Sequence, residues 1–314
     1  MLKKNQLHWQ QVLLDSVAIN DCIQQGRYWS GHGLPWQMRE RRQGGSGDFS
    51  SQQQGSGIDF SETRPYQPGD EPRHINWRAT AKTGRPQVRV FHKDLTPPCY
   101  FLIDRRATMR FGTRTRLKVT QAARLAIFLA SWEQQNNTAI GSLILNESLQ
   151  WQPAVSGGQQ VVHQLAQFVS RACPALDTET DLSFKHAVSL LADQIPQGSH
   201  VYLLSDFHDL NTDMQSQLYQ LGQQNQVLAT SIYDIAEQQL PHAGYLQLHW
   251  GKQQKTQNPQ PIDTDDLEIQ KACQQSFNKH QQKIKQIFEK ADINYISISS
   301  QSNNLASALQ AMPL

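Results

Sequence analysis

The sequence has no long hydrophobic run. No stretch approaches the ~18 uninterrupted apolar residues of a membrane-crossing helix. The first twenty residues, MLKKNQLHWQQVLLDSVAIN, are interrupted by His8, Gln10, Gln11 and Asp15, so they hold no continuous apolar core of a secretory signal. The expectation is a cytoplasmic protein without membrane insertion. Cysteine is scarce: Cys22, Cys99, Cys173 and Cys273 are far apart and form no CxxC pair. That speaks against a zinc site or a disulfide framework and fits a reducing compartment. Charge of one sign is also missing. Lys and Arg total 29 against 27 Asp and Glu, for a net charge of +2, which is too small to imply a nucleic-acid or membrane partner. There is no GxxxxGK[ST], hence no P-loop, and GSG at 55–57 lacks the rest of a dinucleotide fingerprint.

What is present indicates a folded α/β protein. Hydrophobic residues make up 38% of the 314 and charged residues 18%, enough to build one large domain or two ordinary ones. Apolar positions at Trp9, Val12, Leu13, Val17, Ile19 and Ile23 follow helical spacing over 7–28. Residues 40–57 are rich in Gly, Ser and Gln and read as a flexible loop, and PQVRVF at 86–91 reads as a strand. Residues 1–95 therefore read as a helix, a loop and a small β region. From 96 to 314 the pattern changes to short apolar runs alternating with helices. CYFLID at 99–104, TAIGSLILN at 138–146, HVYLLSDF at 200–207 and VLATSIYD at 227–234 are strand-like; 116–135, 158–171, 211–224 and 265–291 are helical. This alternation predicts βαβ units and a mostly parallel sheet flanked by helices.

Ligands of open α/β sheets bind beyond the carboxyl ends of the strands. Asp104, Ser205, Asp206 and Asp234 stand at such ends, and Thr178 and Thr180 precede a helix. Two readings of these residues stand side by side. An Asp followed by hydroxyl side chains supplies hard oxygen ligands for Mg²⁺ or Mn²⁺, and the same residue types cap helices. A second stretch, RPYQPGDEPRHINW at 64–77, joins two prolines and a PGD turn signal to aromatic and charged residues. Arg64, Tyr66, Asp70, Arg73 and Trp77 read as a clasp: Asp70 pairs with Arg73 across the turn and Trp77 is a buried anchor. The same residues suit partner recognition, because exposed aromatics and arginines anchor interfaces. The basic segment 82–93 offers a weaker nucleic-acid reading.

Four strings together, GSGIDFSETRPYQPGDEPRHINWRATAKTGRPQVRVF, FLIDRRATMRFG, LLSDFHD and YDIAEQQLPHAGYLQL, resemble the bacterial "domain of unknown function 58" family over roughly residues 50–250. The resemblance implies a von Willebrand A-like, Rossmann-type α/β domain. It also implies partnership with a MoxR-type AAA+ ATPase and with other von Willebrand A proteins. The role it suggests is that of a non-enzymatic adaptor in complex assembly or maturation. A von Willebrand A metal-ion-dependent adhesion site reads D-x-S-x-S, then a Thr, then an Asp on a later strand. By this resemblance Asp104 takes the first position, Thr108 the second Ser, Thr180 the Thr and Asp206 the last acid. Arg106 takes the first Ser position, where a guanidinium repels a divalent cation. The expectation is a degenerate site that binds Mg²⁺ weakly or not at all, with Arg106 as surrogate cation toward Asp104 and Asp206. The competing reading is a metal-dependent hydrolase using Asp104, Asp206 and His208.

Overall fold

A computed structural model of the chain describes residues 12–29, 54–67, 72–92, 96–173, 182–246 and 261–310. The chain divides into two compact units, one of residues 43–96 and one of all the rest.

The smaller unit is a two-stranded antiparallel ribbon of β1 (Gln54–Pro65) and β2 (Gln87–His92), in register at Thr63–Arg89 and Pro65–Gln87. β1 begins inside the stretch whose composition predicted a loop, because cross-strand pairing overrides local composition. A single 3₁₀ turn (Pro72–His74) and a short helix α2 (Trp77–Thr83) lie between the strands. α2 is capped at both ends. The Asn76 side chain accepts from the Ala79 N–H at 3.2 Å, and Gly84, at φ 67°, donates its N–H to the Thr80 carbonyl. Only glycine adopts that left-handed backbone without cost.

The larger unit is built on a six-stranded sheet. Its strands are β3 (Cys99–Asp104), β4 (Ile140–Leu145), β5 (Leu149–Val155), β6 (His200–Ser205), β7 (Gln226–Tyr233) and, across a longer connection, the last strand, Asn294–Ser299. The two-residue strands β8 (Tyr245–Leu246) and β9 (Ile262–Asp263) pair separately, which makes the last strand β10. The spatial order is β10-β7-β6-β3-β4-β5, parallel except for the edge strand β5. This is the Rossmann-type order 3-2-1-4-5-6, which reverses between β3 and β6. β3 alternates across the sheet. Cys99, Phe101 and Ile103 join one core, and Tyr100 and Leu102 join the other. The first core is closed by α1 (Ser16–Tyr28), α3 (Lys118–Glu133), α4 (Gln159–Val169) and a short C-terminal helix, Leu305–Gln310. The second is closed by α5 (Phe184–Gln194), α6 (Gln215–Gln224) and the end of a long helix, Leu267–Lys290. A four-residue helix α7 (Ile235–Gln238) precedes that long helix, which is therefore α8, and the C-terminal helix is α9.

The N-terminal helix was expected beside the β region of residues 1–95. It packs instead on α3 of the α/β unit, with Cys22, Ile23 and Trp29 buried among Phe128 and Trp132. No helix among the described residues is long and apolar enough to cross a membrane.

Candidate functional site

The sheet order reverses between β3 and β6, and a crevice for ligands opens at such a point. The side chains gathered there are the ends of these two strands. Asp104 closes β3 and is fully buried. Its Oδ1 accepts from the Arg106 backbone N–H and Nε, both at 3.0 Å, and its Oδ2 accepts from Arg106 Nη2 and Ser205 Oγ, both at 2.7 Å. Arg106 turns back on its own strand end and forks onto a second carboxylate. Nη1 and Nη2 donate to Asp209 at 2.7 and 2.9 Å. A guanidinium suits this bidentate geometry better than an ammonium does.

Asp206 takes a different cation. Lys118, on the first turn of α3, is buried and donates from Nζ to Asp206 at 2.9 Å and to Glu237 at 2.6 Å. The sequence-based expectation aimed Arg106 at both Asp104 and Asp206. The structure corrects this: Arg106 serves Asp104 and Asp209, and Lys118 serves Asp206. Thr108 is exposed and lies beside Asp206, whose carboxyl it helps to hold low. Thr180 and Thr178 lie outside the described residues, as does Asp70. Asp234, a further strand-end acid, is a helix cap. It accepts from the Ala236 N–H, forms a capping box with Glu237, and takes hydrogen bonds from Thr113 and Ser300.

The backbone is strained where these acids are presented. Phe207, between Asp206 and His208, has φ 53°, a left-handed conformation unusual for a bulky residue. Burial fixes it there. Phe207 sits edge-on to Phe184 and Phe288, at 5.3 and 4.9 Å, and its N–H donates to Ser205 Oγ. The kink directs Asp206 toward Lys118 while Asp209 meets Arg106 and also accepts from the Phe184 N–H, at the start of α5.

Burial pushes the Asp104 carboxyl up, and the neighbouring Asp206 adds to this against the pull of Arg106. Burial also opposes ionisation of Asp206 and Asp209. The charge and hydrogen bonds of Lys118 outweigh it at Asp206, and those of Arg106 at Asp209, leaving both below the usual carboxylate range. Burial works against the charge on Arg106 and Lys118 too, but their carboxylate partners raise both. These donors do not fit a divalent cation. Both oxygens of Asp104 and one of Asp206 are already engaged by cationic or hydroxyl donors, and a metal would have to displace a buried charge. Among the described residues no cluster of three His, Cys, Asp or Glu side chains has metal-holding geometry. His208 is exposed and meets Asp206 through its backbone N–H, while its ring faces the His280 ring at 6.3 Å. That is not the geometry of a general base on either carboxylate.

The profile of the family described as "Protein of unknown function DUF58" matches residues 62–283. The chain belongs to this DUF58 family. Curated relatives include uncharacterized proteins from Mycobacterium bovis and Mycobacterium tuberculosis, each 26% identical over 191 residues. The match covers 60% of this chain and only 59% of each relative's length. Similar solved structures include the conserved hypothetical protein BatB from Bacteroides thetaiotaomicron, at 13% identity and TM-score 0.47, covering 68% of this chain and 95% of that one. An aerotolerance-related membrane protein from Bacteroides fragilis is 14% identical with TM-score 0.44, covering 69% and 96%.

The DUF58 match takes in the 64–77 stretch. Arg64 and Tyr66 are half-buried there and Arg73 is exposed. Trp77 opens α2 and is 71% exposed, so the buried anchor expected of it is corrected. The inward positions of the seven-residue helix are Ala79 and Thr80, both half-buried, and a tryptophan at its first position faces outward. Lys118 and Glu237 were not among the candidates read from sequence. One signal pointed to Lys118: a lysine in the first turn of a helix opposes the helix dipole and calls for an acidic partner.

Proposed function

We propose that this DUF58 chain is a non-enzymatic protein-interaction module with a von Willebrand A-like face. In this reading it is a cytoplasmic adaptor that works with a MoxR-type AAA+ ATPase, and with other von Willebrand A proteins, in complex assembly or maturation. One observation carries the reading. At the switch point, where Rossmann-type sheets bind ligands, the buried carboxylates are each matched by an internal cation, and large apolar side chains rim them. Phe111 is 43% exposed with its ring 6.0 Å from Lys118 Nζ, and Ile235 is 36% exposed at the start of the helix that supplies Glu237. A preassembled polar centre with an apolar rim has the anatomy of a docking site. It offers no free carboxylate pair for acid–base work, and this argues against the hydrolase reading.

The test is sedimentation of the purified chain mixed with a MoxR-type ATPase, without nucleotide, with ADP and with ATP. A new, faster species is expected in at least one nucleotide state and is lost in Phe111→Glu. No association in any state overturns the adaptor reading.

A further inference from the structure

The helix α2 of the smaller unit has two unlike sides. Its inner side is tied down: Thr80 Oγ1 accepts from the Gln87 N–H at 3.0 Å, Thr83 Oγ1 donates to the Ala79 carbonyl at 2.9 Å, and Asn76 N donates to the Gln87 carbonyl at 2.7 Å. Its outer side carries Trp77, Arg78, Ala81 and Lys82, all exposed, and Arg85 is exposed just beyond the Gly84 cap. Trp77 and Ala81 are neighbours at i, i+4, as are Arg78 and Lys82. The sequence around this face is one-sided in charge. Residues 72–93 include Arg73, Arg78, Lys82, Arg85, Arg89 and Lys93 and no Asp or Glu, with the acids Asp70, Glu71 and Asp94 just outside that span. Among the described residues no carboxylate pairs with Arg73, Arg78, Lys82 or Arg85. A tryptophan 71% exposed among cations that no described carboxylate pairs is an arrangement that a partner completes. The indole supplies the apolar anchor, and the cations select the sign of what surrounds it.

We infer that the outer face of α2 docks an acidic protein segment, its apolar side chain seated on Trp77 and its carboxylates on Arg78, Lys82 and Arg85. The inference rests on the reading of the chain as a protein-interaction module and adds a second surface with its own partner chemistry. A protein segment fits better than nucleic acid. Stacking of a strand uses successive aromatic platforms, and α2 presents one, in a chain whose net charge is +2.

The experiment is fluorescence anisotropy of a labelled short peptide of alternating Glu and Leu, titrated with the full chain. A Lys–Leu peptide and a labelled oligothymidylate are run beside it. Saturable binding of the acidic peptide is expected, weakening with salt, and no binding of the basic one. Trp77→Ala and the double variant Arg78→Glu/Lys82→Glu should each weaken it at least about tenfold. Both variants should melt like the parent, since these side chains are exposed. No binding of the acidic peptide, or equal binding by parent and variants, overturns the inference. Tighter, variant-sensitive binding of the oligothymidylate overturns it in favour of nucleic acid. The two readings fail separately. If the ATPase complex forms while the peptide result is negative, only the α2 surface is lost; peptide binding without an ATPase complex removes only the adaptor reading.

Discussion

At the scale of single residues, the site is governed by how two buried acids avoid each other. Carboxylates converging at a strand-end crevice repel unless a cation stands between or beside them. Here each has its own, Arg106 for Asp104 and Lys118 for Asp206. This changes what a metal-restoring substitution must do. Arg106→Ser frees Asp104 alone, because Lys118 still holds Asp206. Lys118→Ala alone leaves Asp206 buried and unpaired, which costs roughly 3–5 kcal/mol of stability. The double variant Arg106→Ser/Lys118→Ala exposes both carboxylates to a common ligand. Calorimetric titration with Mn²⁺ should give no binding for the parent or for Arg106→Ser, and measurable binding with a raised melting temperature for the double variant. Tight Mn²⁺ binding by the parent, abolished in Asp104→Ala, would sink the surrogate-cation account. Arg106 was legible in the sequence because it occupies a hydroxyl position in a short motif. Lys118 was not, because it reaches the site from the next helix, and spacing along the chain carries no such information.

At the scale of elements, Asp209 ties the β6 loop to α5. It accepts from Arg106 and from the Phe184 N–H, while Ser183 caps the same helix through the His186 N–H. Asp206 and Asp209 are held below their ordinary value of 3.8. Their stabilisation is fully present above that value and is lost as pH falls through the lower folded-state values. Asp104 is shifted up by burial, so its contribution has the opposite sign: present at low pH and lost as pH rises through its folded-state value. Below 3.8 Asp104 is protonated in both states and only the two depressed acids still titrate, which predicts a loss of stability on acidification there. The melting temperature should fall as the pH drops below about 4 and through the lowered folded-state values of these two acids, and Asp209→Asn should flatten that fall. An unchanged slope in Asp209→Asn would show that Asp209 is not the acid-sensitive tie. The long, periodic helices and the apolar strands of this half were legible because periodicity is a local property. α2 was missed because seven residues hold too few turns to show a period. Its Asn76 and Gly84 caps were the only trace. The start of β1 was missed because its partner strand lies across an intervening turn and helix.

At the scale of the whole molecule, the chain begins in one unit, leaves it, and returns. α1 packs on α3, the chain then builds residues 43–96 as a separate unit, and β3 follows. Grouping α1 with its sequence neighbours was the natural reading, since nothing local marks a helix whose partner lies beyond an intervening unit. The packing itself explains the grouping. Ser131 Oγ donates to the Ile23 carbonyl at 2.8 Å, and Gln135 reaches the carbonyls of Gly26 and Arg27. Gly26 is the point of closest approach. A Cβ there would stand 2.2 Å from the Phe128 carbonyl oxygen and 2.9 Å from Ser131 Cβ. Both neighbours belong to the buried helix α3, so the strain cannot be relieved by a surface side chain turning away; the helices must separate. Alanine is otherwise a better helix former than glycine by about 1 kcal/mol, so propensity alone predicts that Gly26→Ala stabilises the chain. The clash should win, with a net loss of about 1–3 kcal/mol in urea unfolding and faster amide exchange across Ser16–Tyr28. A stabilised Gly26→Ala with unchanged exchange would mean that α1 is not seated on α3, and that the N-terminal segment stands apart from the α/β unit after all.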